Sequence, residues 1–226
     1  MHIEPDVVAG AKIFLSYATA AGAFALTVKL ARDSLRDNGG LLALALRSLL
    51  TTALVFCFFE VLPHHPVGVS EVHLILGSTL LLLFGAGAAA IGLAAGLLLQ
   101  GLFFAQFDLP QYGMNVTTLL LPLWAIHLLA KRLIPARTAY VDTSYKQALA
   151  LSTAYQGGIV AWVAFWAVYG NGFSSENLAS VGSFGLAYMS VILLEPLIDL
   201  GVLAAAKALS RYSQGPLFNV RLHQPA

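Results

Sequence analysis

Residues 74–105, LILGSTLLLLFGAGAAAIGLAAGLLLQGLFFA, include no Asp, Glu, Lys or Arg. A helical bilayer crossing takes about 20 apolar residues. This run is too long for one crossing and reads as a short helix followed closely by a second, with a break at Gly85. The rest of the chain has the same character. Of 226 residues, 58% are hydrophobic and 10% charged, with a mean hydropathy of +0.79. These values predict an all-α polytopic membrane protein, because helices satisfy their own backbone polar groups in lipid.

Working outward from that run, about seven transmembrane helices are expected over residues 7–31, 41–62, 73–84, 86–105, 116–133, 147–169 and 181–209. The connections carry ordinary turn residues, as in RDNGG, LPHHPVG, DLPQYG and YGNGFSS. No soluble domain interrupts them. The chain is therefore expected to be a single transmembrane domain over residues 1–226, with a short exterior segment at 1–6 and a cytoplasmic tail at 210–226. YATAAG contains an Ala-x-Ala, but the N-terminus carries Glu4 and Asp6 and no signal-type basic region, so it is read as retained.

The basic residues orient the bundle. Ten of the twelve Lys and Arg residues fall in the connections after the first, fifth and seventh helices. Only Lys12 and Arg47 remain, each near enough to a helix end to snorkel. Positive residues collect on the cytoplasmic side, so the N-terminus is expected outside, the C-terminus inside, and the chain in an inner or plasma membrane. The net charge of +1 is not concentrated on one face, so nothing points to nucleic acid, and lipid is the expected surrounding. The single Cys57 excludes an intrachain disulfide and reads as a small buried apolar residue.

Ionisable residues at depth call for partners. Glu195 and Asp199 in LLEPLIDL are four apart and share a helix face. Arg47 lies at similar depth in the second helix, so Arg47, Glu195 and Asp199 are candidates for a structural ion pair, and Pro196 for a kink. Ala88, Gly92 and Gly96 form a small-residue stripe, as do Ala18 and Gly22, and both are expected to pack helices internally.

Of the six histidines, His64, His65 and His223 are expected to be solvated and His127 to be a hydrogen-bonded core residue. His2 and His73 stand apart because the topology brings both to the exterior face. With Met1 unblocked, its amine and the His2 amide nitrogen close a five-membered chelate ring on a divalent metal. The His2 amide and imidazole Nδ1 close a six-membered ring. Three nitrogens then lie in one plane, which suits Ni(II), Cu(II) and some Co(II) sites rather than magnesium or calcium. A fourth position stays open, for which His73 is the candidate, with Glu71 as a possible acceptor behind its ring. A free α-amine titrates near about pH 8 and an imidazole near about 6.5, so binding should release protons and weaken in acid. The alternative is that His2 is an accident of the start site and His73 a helix-end residue.

Four stretches carry a resemblance. MHI at 1–3, SEVHLILG at 70–77, LLLQGLFF at 97–104 and YGMNVTTLLLP at 112–122 resemble the CbiM/NikM group, the substrate-capturing membrane (S) components of cobalt and nickel energy-coupling factor transporters. The motif likeness spans residues 1 to about 122. It implies a seven-helix importer whose cargo, Co(II) or Ni(II), is held by the terminal amine, the second-residue amide and imidazole, and a further histidine, here Met1, His2 and His73. Gln100 and Asn115 lie in matching segments and are the candidate supporting residues beside Glu71. It also implies a partner transmembrane coupling (T) subunit and ATPase subunits, with a small accessory membrane subunit as a further candidate partner. No organic cofactor is expected, and the chain itself, which lacks a G-x-x-x-x-G-K-[ST] loop, is not expected to be an enzyme. Glu4-Pro5-Asp6 and Ala105-Gln106-Phe107-Asp108 depart from the glycine-containing segments usual in that group, which bears on the surroundings of the site and the choice of metal.

Two other functions compete. A haem-binding electron-transfer protein would need two helix histidines at one depth, but His73 and His127 are separated by roughly 16 Å along the bundle. A membrane enzyme lacks HExxH, and Ser78 has no positioned base in sequence.

Overall fold

α2 (Gly40–Glu60) and α4 (Ala86–Phe103) lie side by side and run in the same direction. Thr51 Oγ1 donates to the Ala88 carbonyl at 2.8 Å. Higher up, a side chain at Gly96 would meet Val55 at 2.7 Å. Beyond that, Gln100 Nε2 reaches the Phe59 carbonyl at 3.5 Å. The stripe Ala88, Gly92 and Gly96 therefore packs internally against α2, as expected, with Gly92 against Thr51. Ala18 and Gly22 in α1 (Phe14–Asp37) instead face outward and are exposed. The computed structural model giving these contacts describes residues 3–37, 39–213 and 215–225.

Two parallel helices need a return path between them. It consists of a hairpin, β1 (His65–Val67) and β2 (Ser70–Val72), a stretch without helix or strand over residues 73–76, and α3 (Gly77–Phe84). The expected helix over 73–84 thus forms only in its second half, and His73 precedes it rather than opening it. At eight residues, α3 is about 12 Å long, too short to cross a bilayer alone. Non-helical backbone there persists because protein rather than lipid surrounds it, His73, Ile75 and Leu76 being buried.

The remaining helices are α5 (Tyr112–Leu133), α6 (Tyr145–Asn171), α7 (Ser175–Met189) and α8 (Glu195–Ala208). Ser144 and Gln147 form a capping box that starts α6. The kink expected at Pro196 is a break between α7 and α8, where proline, second in α8, has no N–H to donate. Among the described residues, six helical stretches are long and apolar enough to cross a membrane: Gly10–Asp37, Gly40–Glu60, Ala86–Phe103, Gln106–Leu133, Tyr145–Asn171 and Ser175–Ala208. The protein is a multi-pass membrane protein.

The bundle has two distinct ends. At one, which we term the mouth, Ile3 bridges to Ser70 of the hairpin. At the other, Asn219 N donates to the Leu83 carbonyl at 2.7 Å and Phe218 stacks on Phe84. The Arg221 guanidinium donates there to the carbonyls of Ile134 and Pro135. The tail segment is therefore packed onto the bundle, with Leu222 fully buried, and His223, expected to be solvated, is paired with Ser213 at 2.6 Å.

Two further expectations are corrected. Arg47 does not pair with the carboxylates of α8. It is fully buried, with Nε donating to Ala43 and Nη1 to Phe84 carbonyls. Glu195 and Asp199, also fully buried, are met by neutral groups: Ser152 and Gln156 for Glu195, Ser78 and Thr79 for Asp199. Hydroxyls and an amide on α3 and α6 lie closer to α8 than the guanidinium does, which a sequence-depth argument does not resolve. Cys57, expected inside, is exposed on α2.

Candidate metal site

The mouth is assembled from segments distant in sequence. Gly68 turns the hairpin with φ of 62°, a value that suits glycine at the first turn position. The strands pair His65 with Val72 and Val67 with Ser70. Ile3 then adds an antiparallel bridge to Ser70, and Glu4 N donates to the Val69 carbonyl at 3.3 Å. From the other side, Ile3 N donates to Asn115 Oδ1 at 2.9 Å, in the first turn of α5. Gln111 Nε2 holds the Pro5 carbonyl at 3.0 Å. Gly170 of α6 admits the Val7 carbonyl so closely that an added Cβ would lie 1.6 Å from it. Ile3 is completely buried.

His73 follows β2 directly and is 1% exposed. Its Nε2 lies 2.9 Å from Glu71 Oε2. An ionised carboxylate only accepts, so in the neutral imidazole this contact puts the proton on Nε2 and the lone pair on Nδ1. The ring is held on two sides. His64 stacks on it at 4.8 Å and 13°, and Phe59 meets it edge-on at 5.4 Å. His64 was read from sequence as solvated; it is half-buried against His73. A histidine with a carboxylate behind it and fixed ring orientation has the form of a metal ligand with its supporting partner.

The residues named from sequence divide accordingly. His73, Glu71 and Asn115 come together around the seat of Ile3. Gln100 lies one step away, donating to Phe59 and to Glu60 Oε2 at 3.3 Å, so it touches the helix end that carries the Phe59 ring. Met1 and His2 lie outside the described residues. Among the described residues, no three His, Cys, Asp or Glu side chains gather into a metal-holding group. Ser70, Gln111, Phe59, His64 and Gly170 were not singled out by sequence reading. The Pro-Val-Gly-Val-Ser run could have marked a hairpin, but strands of three residues, one carrying proline, leave little alternation to detect.

His127, the other half of the competing haem reading, lies twelve positions beyond Asn115 in α5, about 18 Å along the axis. It lines a cavity of about 290 Å³ at the tail end with Asp33 and Lys131. Ser78, considered as a nucleophile, is engaged in donating to Asp199.

Comparison with known families gives one informative result. The family model described as cobalt uptake substrate-specific transmembrane region, CbiM, matches residues 2–212. No curated protein and no solved structure matches the chain.

Proposed function

The chain belongs to the CbiM family of cobalt uptake substrate-specific transmembrane regions, a family of transport components, and from that premise we propose that it captures Co(II) or Ni(II) through Met1, His2 and His73. The Met1 amine, the His2 amide nitrogen and the His2 imidazole supply three donors in one plane. His73 Nδ1 supplies the fourth, and Glu71 orients its ring. The metal is cargo, and no organic cofactor is involved.

The observation that supports this most directly is the seat of Ile3. Consecutive Cα atoms are about 3.8 Å apart, so two residues before an anchored Ile3 have a short reach. Ile3 bridges Ser70, one residue before Glu71 and three before His73. Binding displaces the protons of the amine, amide and imidazole, so affinity falls as pH falls.

Ten of the twelve basic residues fall in or beside the connections after α1 and α5 and in the chain from Lys207 onward, which supports a mouth open to the exterior and a cytoplasmic tail in an inner or plasma membrane. Delivery inward requires a coupling (T) subunit and ATPases on separate chains, with a small accessory membrane subunit as a further partner.

The test is titration of the purified protein with nickel(II) and cobalt(II), after N-terminal sequencing confirms a free Met1. A version with an N-terminal tag and a His73→Ala variant are titrated beside it. One-to-one binding by the native protein and failure of both altered forms supports the reading. Equal binding by all three, or by none, ends it.

A further inference from the structure

Leu76 is the one non-glycine residue with positive φ among the described residues, at φ 55° and ψ 41°. A side chain at this left-handed position crowds the following carbonyl, so the surroundings must hold it there. It is 7% exposed, three residues after His73 and immediately before α3. It is the joint at which the non-helical stretch from the mouth turns into a helix.

The clamp on the helical side of the joint comes from α8. Asp199 takes one hydroxyl on each carboxylate oxygen, Ser78 at 2.8 Å and Thr79 on the other. Glu195, one turn earlier in α8, is fixed by Ser152 and by Gln156 at 2.6 Å. The Tyr155 ring covers Gly77, leaving 2.3 Å to an added Cβ. The first three residues of α3 are thus fastened to α6 and α8.

Without the joint, α3 would continue backward through residues 73–76, as hydropathy alone suggests. Helix rises only about 1.5 Å per residue and is the more compact path, so His73 would retract toward α3. That would carry it away from Glu71, His64 and the seat of Ile3.

We propose that Asp199 is a positioning residue for metal capture: by clasping Ser78 and Thr79 it fixes the left-handed joint at Leu76, and through it holds His73 at the mouth. This rests on the reading of His73 as a metal ligand. It gives the buried Asp199 carboxylate a role that neither ion pairing nor a relay requires.

The test compares wild type, Asp199→Leu, Asp199→Asn and the double variant Leu76→Gly/Asp199→Leu, all full-length with native termini. Nickel(II) and cobalt(II) chloride are the titrants. The ¹⁵N resonances of the His73 imidazole, recorded without metal, report its bond to Glu71. Asp199→Leu should weaken binding by about tenfold or more, the scale set by a lost left-handed conformation, and should shift the His73 signals. Asp199→Asn, which still accepts a hydroxyl, should lose less. Leu76→Gly should restore binding and signals together, because glycine adopts this conformation unaided. Should Asp199→Leu fail to insert, Thr79→Val with and without Leu76→Gly makes the same comparison. Unchanged binding and His73 signals in a folded Asp199→Leu protein, or no recovery with Gly at 76, overturns the proposal. A wild type that binds neither metal overturns the ligand reading and the capture role with it, while the His73 signals separately show whether the clasp acts on the ring.

Discussion

The amide of Ile3 donates to Oδ1 of Asn115 at 2.9 Å across 112 positions of sequence, in a fully buried setting. A buried amide left without its acceptor costs about 1–3 kcal/mol. Because this amide is one residue from His2, much of that cost should appear in metal affinity rather than in global stability. Asn115→Ala is expected to weaken nickel or cobalt binding by about tenfold, corresponding to roughly 1.4 kcal/mol. Asn115→Asp, which retains an acceptor, should bind within a few-fold of wild type. Calorimetric titration of the two variants decides it, and equal losses in both would mean that the acceptor is not what matters.

Gly170 tests the same seat from another side. An added Cβ would overlap the Val7 carbonyl at 1.6 Å, a backbone contact that cannot be relieved by rotating a side chain. Gly170→Ala should therefore displace the segment that carries Ile3. The expected result is metal binding weakened by about tenfold or more, with a loss of stability within the usual overpacking range of about 1–3 kcal/mol. Gly157→Ala in the same helix, where an added Cβ meets nothing within 4 Å, is the control and should bind normally.

How much of this was legible in the sequence differs by length scale. The long helices were, because each carries an apolar run that only a membrane core accommodates, and apart from the break between α7 and α8 their bounds shifted mainly at the ends. Segment 73–84 was not, because an apolar run has no periodicity to separate an extended stretch from a helix. What divides it at Leu76 is a set of contacts from α6 and α8 that lie 75 or more residues away. The same limit explains Arg47: matching depth in two helices does not say which face each side chain occupies. His73 and Glu71 were legible because two residues in one short segment suffice for their contact. His64 stacking on His73 required the hairpin, whose three-residue strands were too short to see.

The α2–α4 seam should respond to bulk more than to hydrogen bonding. Gly92 lies against Thr51, with an added Cβ 2.3 Å from its Oγ1, so Gly92→Leu would force the parallel pair apart. The expected loss is about 1–3 kcal/mol. Thr51→Val removes the bond to Ala88 but keeps the shape, and interhelical bonds in bilayers contribute on average about 0.6 kcal/mol. Thermal unfolding in detergent should thus show a large fall in Tm for Gly92→Leu and a small one for Thr51→Val. A comparable fall in both would mean that the seam depends on its hydrogen bond.

Glu71 offers the sharpest separation of ligand orientation from ligand identity. Its carboxylate meets His73 Nε2 at 2.9 Å and, in the proposed capture role, thereby turns Nδ1 toward the metal. Loss of such a supporting group typically lowers metal affinity about 10–100-fold. Glu71→Ala is expected in that range, while Glu71→Gln, whose amide oxygen can still accept from Nε2–H, should lose less. Both should retain one-to-one stoichiometry, since no ligand has been removed, and both should weaken further as pH falls because protons compete for the same nitrogens. His73→Ala should instead abolish the fourth donor and change the visible spectrum of the nickel complex. If Glu71→Ala altered the spectrum as His73→Ala does, the carboxylate would itself be a ligand, and the orientation of His73 would need another source.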